Sequence, residues 1–286
     1  MTLLPPEFLN TVVGIGIKEK SRPENWIGTG FIFGNLVDHN REVGKKSYQL
    51  WLITNKHVLE AQKEIIIKFN SLQDSNSKNY NVPLLFKNGR SRWFGHPSES
   101  IDIAVIFLNP GFLKNEERLF EYFKSDEDVL SKDEMISSKI SEGDSIFVLG
   151  YPMGLVDNVR QYVICRGGHI ARIRDYLESH SKDFLIDASI YPGNSGGPVI
   201  LCPSLFSLGD IEPVNRSVLL GIVKSYIPYS DVAISPQTSN ARILFQENSG
   251  LATVEPVSSI IETVKLASKR LKYRVSRAEK RTKIIK

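Results

Sequence analysis

Several features are scarce or missing from this sequence, and each absence narrows the reading. Only two of its 286 residues are cysteine, Cys165 and Cys202, too few for a disulfide framework. Each lies in an apolar, strand-like segment where a buried thiol is the default, so a reducing, cytoplasmic setting is expected. No apolar run approaches the roughly 20 residues of a membrane span. The opening "MTLLPPEFLNTVVGIGIKEK" has no basic n-region, long apolar core or small-residue cleavage site, so export is not expected. Internal repeats and low-complexity tracts are also lacking. Histidine is scarce, with five residues in all, which limits the candidates for a general base. Acid is scarce at one end: Lys265 to Lys286 holds ten Lys or Arg against the single Glu279, a local +9 that leaves −5 on the rest of a chain of net charge +4. A mildly acidic body does not suit nucleic acid, so that partner is left open for the basic tail alone.

The composition, 41% hydrophobic and 24% charged, supplies core enough for one large or two small domains. Short runs rich in Val, Ile, Phe and Tyr recur between turns, among them "TVVGIGI", "GTGFIFG", "YQLWLIT", "EIIIKF", "DIAVIFL", "SIFVLGY" and "SVLLGIVKSYI". About a dozen such strands with no helices alternating between them predict an all-β, antiparallel protein. The break is "FLKNEERLFEYFKSDEDVLSKDEMISSK", charged and without Gly or Pro, with helical spacing at Leu113, Leu119, Phe120 and Phe123. It reads as a partly helical linker at 116–139, between one β unit at 1–115 and another at 140–257. In 258–286, Ile260, Val264, Ala267, Leu271 and Val275 recur three or four residues apart, the stripe of an amphipathic helix, before the basic tail.

The stretch "IYPGNSGGPVI" sets Gly193, Gly196 and Gly197 around Ser195. Glycines cluster where backbone turns sharply or approaches another group closely, so the run alone reads equally as a turn or bulge at a barrel corner. A serine nucleophile needs a histidine to take its proton and an acid to orient that histidine. His39, His96 and His180 lie in polar loops or turns, and His169 lies within a later strand. In "LWLITNKHVLEA", His57 instead follows an apolar strand on the turn leading away, with rigid backbone and a free edge. Asp102, in "SIDIAVIFL", would lose hydration among aliphatic residues unless a partner such as a histidine N–H compensates it. Taken singly, His57 could be a surface histidine and Asp102 a solvent-facing residue at a strand start.

Together, "ITNKHV", "DIAV" and "GNSGGPV" in that order resemble the three motif blocks of the trypsin-like, chymotrypsin-fold serine peptidases, closest to their bacterial HtrA-like branch. "GTGFIF", "VLGYPMG" and "GLATVEPVSSI" extend the resemblance from Thr11 to Ile261. It implies two antiparallel six-stranded β-barrels with a C-terminal α-helix, and a serine endopeptidase acting on polypeptides through an acyl-enzyme. His57 would be the base, Asp102 its orienting acid and Ser195 the nucleophile, with the N–H groups of Gly193 and Ser195 as the oxyanion hole. Ser189 would lie at the base of the specificity pocket, with Lys224, Ser225 and Tyr226 as its wall, suiting a small or medium apolar side chain. No metal and no other cofactor is implied. Asn194 stands where zymogens of this family carry an acid, so activation by clipping is not expected. A helix and basic tail stand where HtrA-type enzymes carry a PDZ domain, so HtrA-type sensing and trimer assembly are not expected to carry over, and restraint by a regulatory protein partner is left open. The competing class is an inactive scaffold of the same fold that binds partner proteins.

Overall fold

The computed structural model describes residues 3–19, 24–40, 44–73, 76–157, 159–204, 214–234, 237 and 241–284. A single turn, α1 (Pro6–Leu9), leads into β1 (Val12–Ile17), β2 (Asn25–Asn40) and β3 (Lys45–Thr54); α2 (Lys56–Leu59), β4 (Glu64–Ser71), β5 (Lys78–Pro83), β6 (Trp93–Gly95) and β7 (Ala104–Phe107) complete the first unit. The charged connection holds α3 (Pro110–Asn115), β8 (Arg118–Leu119), β9 (Phe123–Lys124) and α4 (Lys132–Ser137). Then come β10 (Ser145–Gly150), β11 (Ile164–Arg172), α5 (Arg174–Leu177), β12 (Phe184–Asp187), β13 (Pro198–Leu201), β14 (Val218–Ile234), β15 (Ala241–Pro256) and α6 (Val257–Ile284).

The second unit closes as a six-stranded barrel in the order β10-β11-β12-β15-β14-β13, which leaves no sheet edge to protect. The first unit corrects the expectation of a second six-stranded barrel. It is an open, curled sheet in the order β5-β4-β1-β2-β3-β7-β6, with β8 added to β4 and β9 to β2. Closure would require β5 to pair with β6. However, β5 ends at Pro83, which has no N–H to give, β6 is only three residues long, and the chain between them makes a single bridge, Leu85 to Ser91.

Helical spacing in the connection also gives way to other structure. Glu117, at φ 53°, turns the chain out of α3, and Leu119 and Phe123 then become strand residues of the first sheet. Ser131 caps α4 in a reciprocal pair with Glu134: its hydroxyl accepts from the Glu134 N–H at 3.2 Å and its own N–H donates to the Glu134 carboxylate at 2.7 Å.

One apolar cluster runs through both units, joining Phe31, Phe33 and Phe123 of the first to Tyr151, Phe184 and Ile222 of the second, while a smaller one, with Ile15, Leu52 and Ile65, fills the curl of the first sheet. The stripe of α6 packs on the larger cluster, with Ile260, Val264 and Ala267 buried and Leu271 against them; Val275 has its side chain outside the described residues. Docking on the second barrel is the sequence expectation. The helix also reaches the first sheet, where the Ser268 hydroxyl donates to Gln49 at 2.8 Å and Glu262 lies 3.6 Å from His96. Past the barrel, β14 and β15 continue as a two-stranded arm that exposes Tyr229, Val232, Ile234, Ile243, Leu244 and Phe245. Both cysteines are free, and Cys165, expected to be buried, lies on the outward face of β11. Among the described residues no helix is long and apolar enough to cross a membrane.

Candidate functional site

The buried end of β3 stops at Thr54, and α2 begins two residues later at Lys56. Val58 and Leu59 bury and pin that turn, which leaves the His57 side chain 49% exposed. The carboxylate of Asp102 lies against the start of the same turn. Its Oδ1 accepts from the backbone N–H of Lys56 at 2.8 Å and of His57 at 3.2 Å, donors that a helix start leaves without an internal partner. Its Oδ2 is 2.6 Å from His57 Nδ1. One carboxylate therefore fixes both the backbone and the ring of His57, and leaves Nε2 as the nitrogen free to meet another group. Asp102 itself lies between buried Ile101 and Ile103. Its carbonyl accepts from the Asn55 side chain at 2.7 Å and its N–H donates to Glu255 Oε1 at 3.0 Å.

Ser195 lies in the loop entering β13. Gly193 and Gly196 have φ of +97° and +87°, where a side chain is strained. There is also no room for one: a Cβ at Gly193 would collide with the Tyr151 carbonyl, at Gly196 with the Thr29 carbonyl and at Gly197 with the Leu149 carbonyl. The loop is pinned to the first sheet by Thr29, whose hydroxyl donates to the Gly193 carbonyl at 2.6 Å and accepts from the Tyr151 N–H at 3.1 Å, while its N–H donates to the Ser195 carbonyl at 2.9 Å. The Thr29 carbonyl in turn accepts from the Thr54 hydroxyl at 2.8 Å, which ties the nucleophile loop to the strand that delivers His57.

Within this loop the Asn194 N–H donates to the Tyr191 carbonyl at 3.0 Å and the Pro192 carbonyl accepts from Met153 at 2.6 Å. Among the described residues the N–H groups of Gly193 and Ser195 donate to nothing, so two donors flank the serine unclaimed. The Ser195 hydroxyl donates to the Lys224 carbonyl at 3.4 Å, a long contact, and makes no hydrogen bond to His57. Gly28 packs near both elements: a Cβ there would crowd Val58 of α2 at 3.0 Å and reach the Ser195 carbonyl at 3.4 Å.

The remaining sequence candidates are distributed unevenly. Ser189 is exposed between buried Ala188 and Ile190, Ser225 is exposed, and Tyr226 is half-buried against the core. The Lys224 side chain turns away to Glu255 Oε1 at 3.0 Å, the Ser100 carbonyl at 3.1 Å and Asp183 at 3.6 Å, and only its carbonyl faces Ser195. Burial pulls its ammonium pKa down, but the hydrogen bond to Glu255 and the charges of Glu255, Asp183 and Asp102 outweigh that and raise it. Sequence reasoning passed over Thr29 and Glu255. The one available signal was an acid inside the apolar strand "ATVEPV", which demands a buried partner. Among the described residues no group of three His, Cys, Asp or Glu is placed to hold a metal ion.

No curated protein matches the chain. A solved structure described as Rv3671c protease, inactive form, is similar at 15% identity and a TM-score of 0.43, covering 90% of this chain and 89% of that one, a likeness too distant to carry an argument. The model of the trypsin-like peptidase domain matches residues 28–202, more than half the chain and the whole span from Thr29 to the serine loop; the chain therefore belongs to the trypsin-like peptidase family, with the chymotrypsin-like fold that goes with it.

Proposed function

We propose that the protein is a serine endopeptidase that cleaves polypeptides through an acyl-enzyme. The carrying observation is the conjunction of the 2.6 Å contact between His57 Nδ1 and Asp102 with two unclaimed N–H groups on either side of the Asn194 N–H. His57 Nε2 takes the proton of Ser195 as Oγ attacks the scissile carbonyl, then returns it to the leaving amine. Asp102 holds the ring in the tautomer that makes this transfer effective. The N–H groups of Gly193 and Ser195 receive the negative charge that develops on the carbonyl oxygen. Water then attacks the acyl-enzyme by the same route and restores Ser195. Ser189, Ser225 and Tyr226 would form a shallow pocket for a small or medium apolar side chain before the cut. The free, exposed Cys165 favours a reducing, cytoplasmic setting.

One observation favours the alternative of a catalytically silent scaffold, namely the Ser195 hydroxyl resting on the Lys224 carbonyl. Reaction requires that hydroxyl to turn to His57. A fluorophosphonate probe separates the readings, because only an activated serine reacts with it. Labelling confined to Ser195, and a fall in kcat of roughly 10⁶ on Ser195→Ala, are expected; a folded wild type that neither labels nor cleaves a peptide library is the scaffold.

A further inference from the structure

Asp102 and Ser195 come from different β units, so their registration depends on whatever crosses between the units beside them. On the Asp102 side the crossing is made by charged residues of the second unit: Lys182 donates to the Ser100 hydroxyl at 3.1 Å, and Glu255 and Lys224 take the backbone. Glu255, on β15 and only 1% exposed, accepts the Asp102 N–H on Oε1 at 3.0 Å. The same oxygen meets Lys224 Nζ at 3.0 Å. That ammonium donates onward to the Ser100 carbonyl at 3.1 Å. The backbone from Ser100 to Asp102 is thus held at both ends, its carbonyl by a cation and its N–H by an anion, and the two gripping charges neutralise each other. Lys224 also supplies the carbonyl on which the Ser195 hydroxyl rests at 3.4 Å. One residue of β14 therefore touches both the segment that carries the acid and the nucleophile itself.

An ion pair whose acid is buried, as Glu255 is while the Lys224 side chain stays 25% exposed, is an expensive way to gain stability, since desolvation consumes much of its attraction and apolar residues of equal volume often do as well. Its distinctive product is geometry. Charge-assisted hydrogen bonds are short and directional, and catalytic constellations tolerate little displacement. Glu255 Oε2 is buried without a hydrogen-bond partner among the described residues, a cost that simple packing would have removed by an apolar side chain.

We propose that Glu255 and Lys224 are positioning residues which clamp the Ser100–Asp102 backbone of the first sheet to the second barrel and so hold Asp102, and through it His57, in register with Ser195. The role rests on the peptidase reading for its consequence in turnover, but the clamp is a property of the folded chain and can be measured without turnover.

The test uses the full chain with Glu255→Leu, Glu255→Gln and Lys224→Met. Active sites are counted by fluorophosphonate titration, so that kcat is expressed per competent site. Glu255→Leu is expected to lower that kcat roughly 10- to 100-fold with KM within about twofold, the mark of lost alignment and not of lost binding. Glu255→Gln keeps an acceptor for the Asp102 N–H and should recover most of the loss, while Lys224→Met, which frees the Ser100 carbonyl but leaves Lys182 on the Ser100 hydroxyl, should fall between them. A merely structural role predicts fewer competent sites, each turning over at the wild-type rate, and that result overturns the proposal. Amide hydrogen exchange supplies the readout that does not need activity: protection at the Asp102 N–H should fall at least tenfold in Glu255→Leu. If the wild type proves silent toward the probe, exchange alone decides, and unchanged protection at Asp102 rejects the clamp. Should Glu255→Leu fail to fold, the same two readouts on Lys224→Met decide.

Discussion

The two β units hold their shares of the candidate site by different physical means. In the closed second barrel Ser195 is set by backbone, through two residues at positive φ and three positions where a Cβ would overlap a carbonyl oxygen of Tyr151, Thr29 or Leu149. In the open first sheet His57 and Asp102 are set by side chains: Asp102 bonds the start of α2, and Glu255 and Lys224 reach across from the other unit to hold Asp102. A closed barrel supplies rigid backbone from which a loop can be shaped mainly by steric exclusion, with the Thr29 hydroxyl pinning it from the first sheet. A curled sheet with free edges supplies less, and polar contacts make up the difference. Perturbation of the second unit should therefore act through volume, and of the first through hydrogen bonds and charge.

The largest effect follows from filling the space beneath the nucleophile. Gly196→Ala forces a left-handed conformation on a residue with a side chain and drives its Cβ into the Thr29 carbonyl. We expect a loss of about 3–5 kcal/mol in stability, from strain and overpacking together, and no fluorophosphonate labelling at Ser195 in whatever folds. Thermal unfolding and labelling measure both. A Gly196→Ala protein with the melting temperature and labelling of the wild type would show that the loop is not set by backbone space, and the contrast between the units would collapse.

A smaller effect belongs to the seam. Thr29 is fully buried, and its hydroxyl serves the Gly193 carbonyl and the Tyr151 N–H together. Thr29→Val keeps the shape and strands both groups, at a cost of about 1–3 kcal/mol; Thr29→Ser keeps the hydroxyl and should lose less. If Val and Ser melt alike, the seam depends on the methyl group and packing, and side-chain hydrogen bonding is not what joins the units.

The same contrast explains how much could be read beforehand. Steric demands at Gly193, Gly196 and Gly197 are written in residue identity, because only glycine meets them, and so "GNSGGPV" pointed to a serine held in a tight loop. His57, after a buried strand, and Asp102, among aliphatic neighbours, are ambiguous singly and are singled out only by the conjunction of the three motif blocks. Glu255 and Thr29 are different. Thr29 looks ordinary in its own strand and Glu255 signals only that some partner is needed, and the role of each arises only when topology brings a residue more than a hundred positions away against it, Glu255 to Asp102 and Thr29 to Gly193. The six-stranded closure expected for the first unit failed for a related reason. The sequence marks strands at "EIIIKF" and "DIAVIFL" but none between them, where β5 and β6 form, and whether two such short edges meet is decided by the turn between them.

The smallest effect tests the contrast at two carboxylates of similar strength. Glu142, at the entrance to the second barrel, accepts the backbone N–H groups of Ile173 and Arg174 on Oε1, each at 3.0 Å. Those backbone bonds hold its pKa down at about 2, with the Arg174 guanidinium at 3.4 Å a lesser contributor. Glu127, beside the first sheet, is held down to about 2 by hydrogen bonds from Lys124 and Lys46, both at 2.6 Å. Because each folded pKa lies below the unfolded value of about 4.3, each group contributes stability that is complete above about pH 5 and is lost as pH falls toward 2. Replacing either by Gln should flatten the fall of melting temperature across that window. The two should part on adding salt. Near 1 M the screening length is about 3 Å, so exposed lysine pairs lose much of their attraction, while backbone donors carry no net charge to screen. Glu127→Gln is therefore expected to flatten the acid limb at low salt only, and Glu142→Gln at low and high salt alike. Melting curves at pH 2 to 6 in both conditions measure this, and equal salt sensitivity of the two variants would mean that Glu142 too is held by charge, not by backbone.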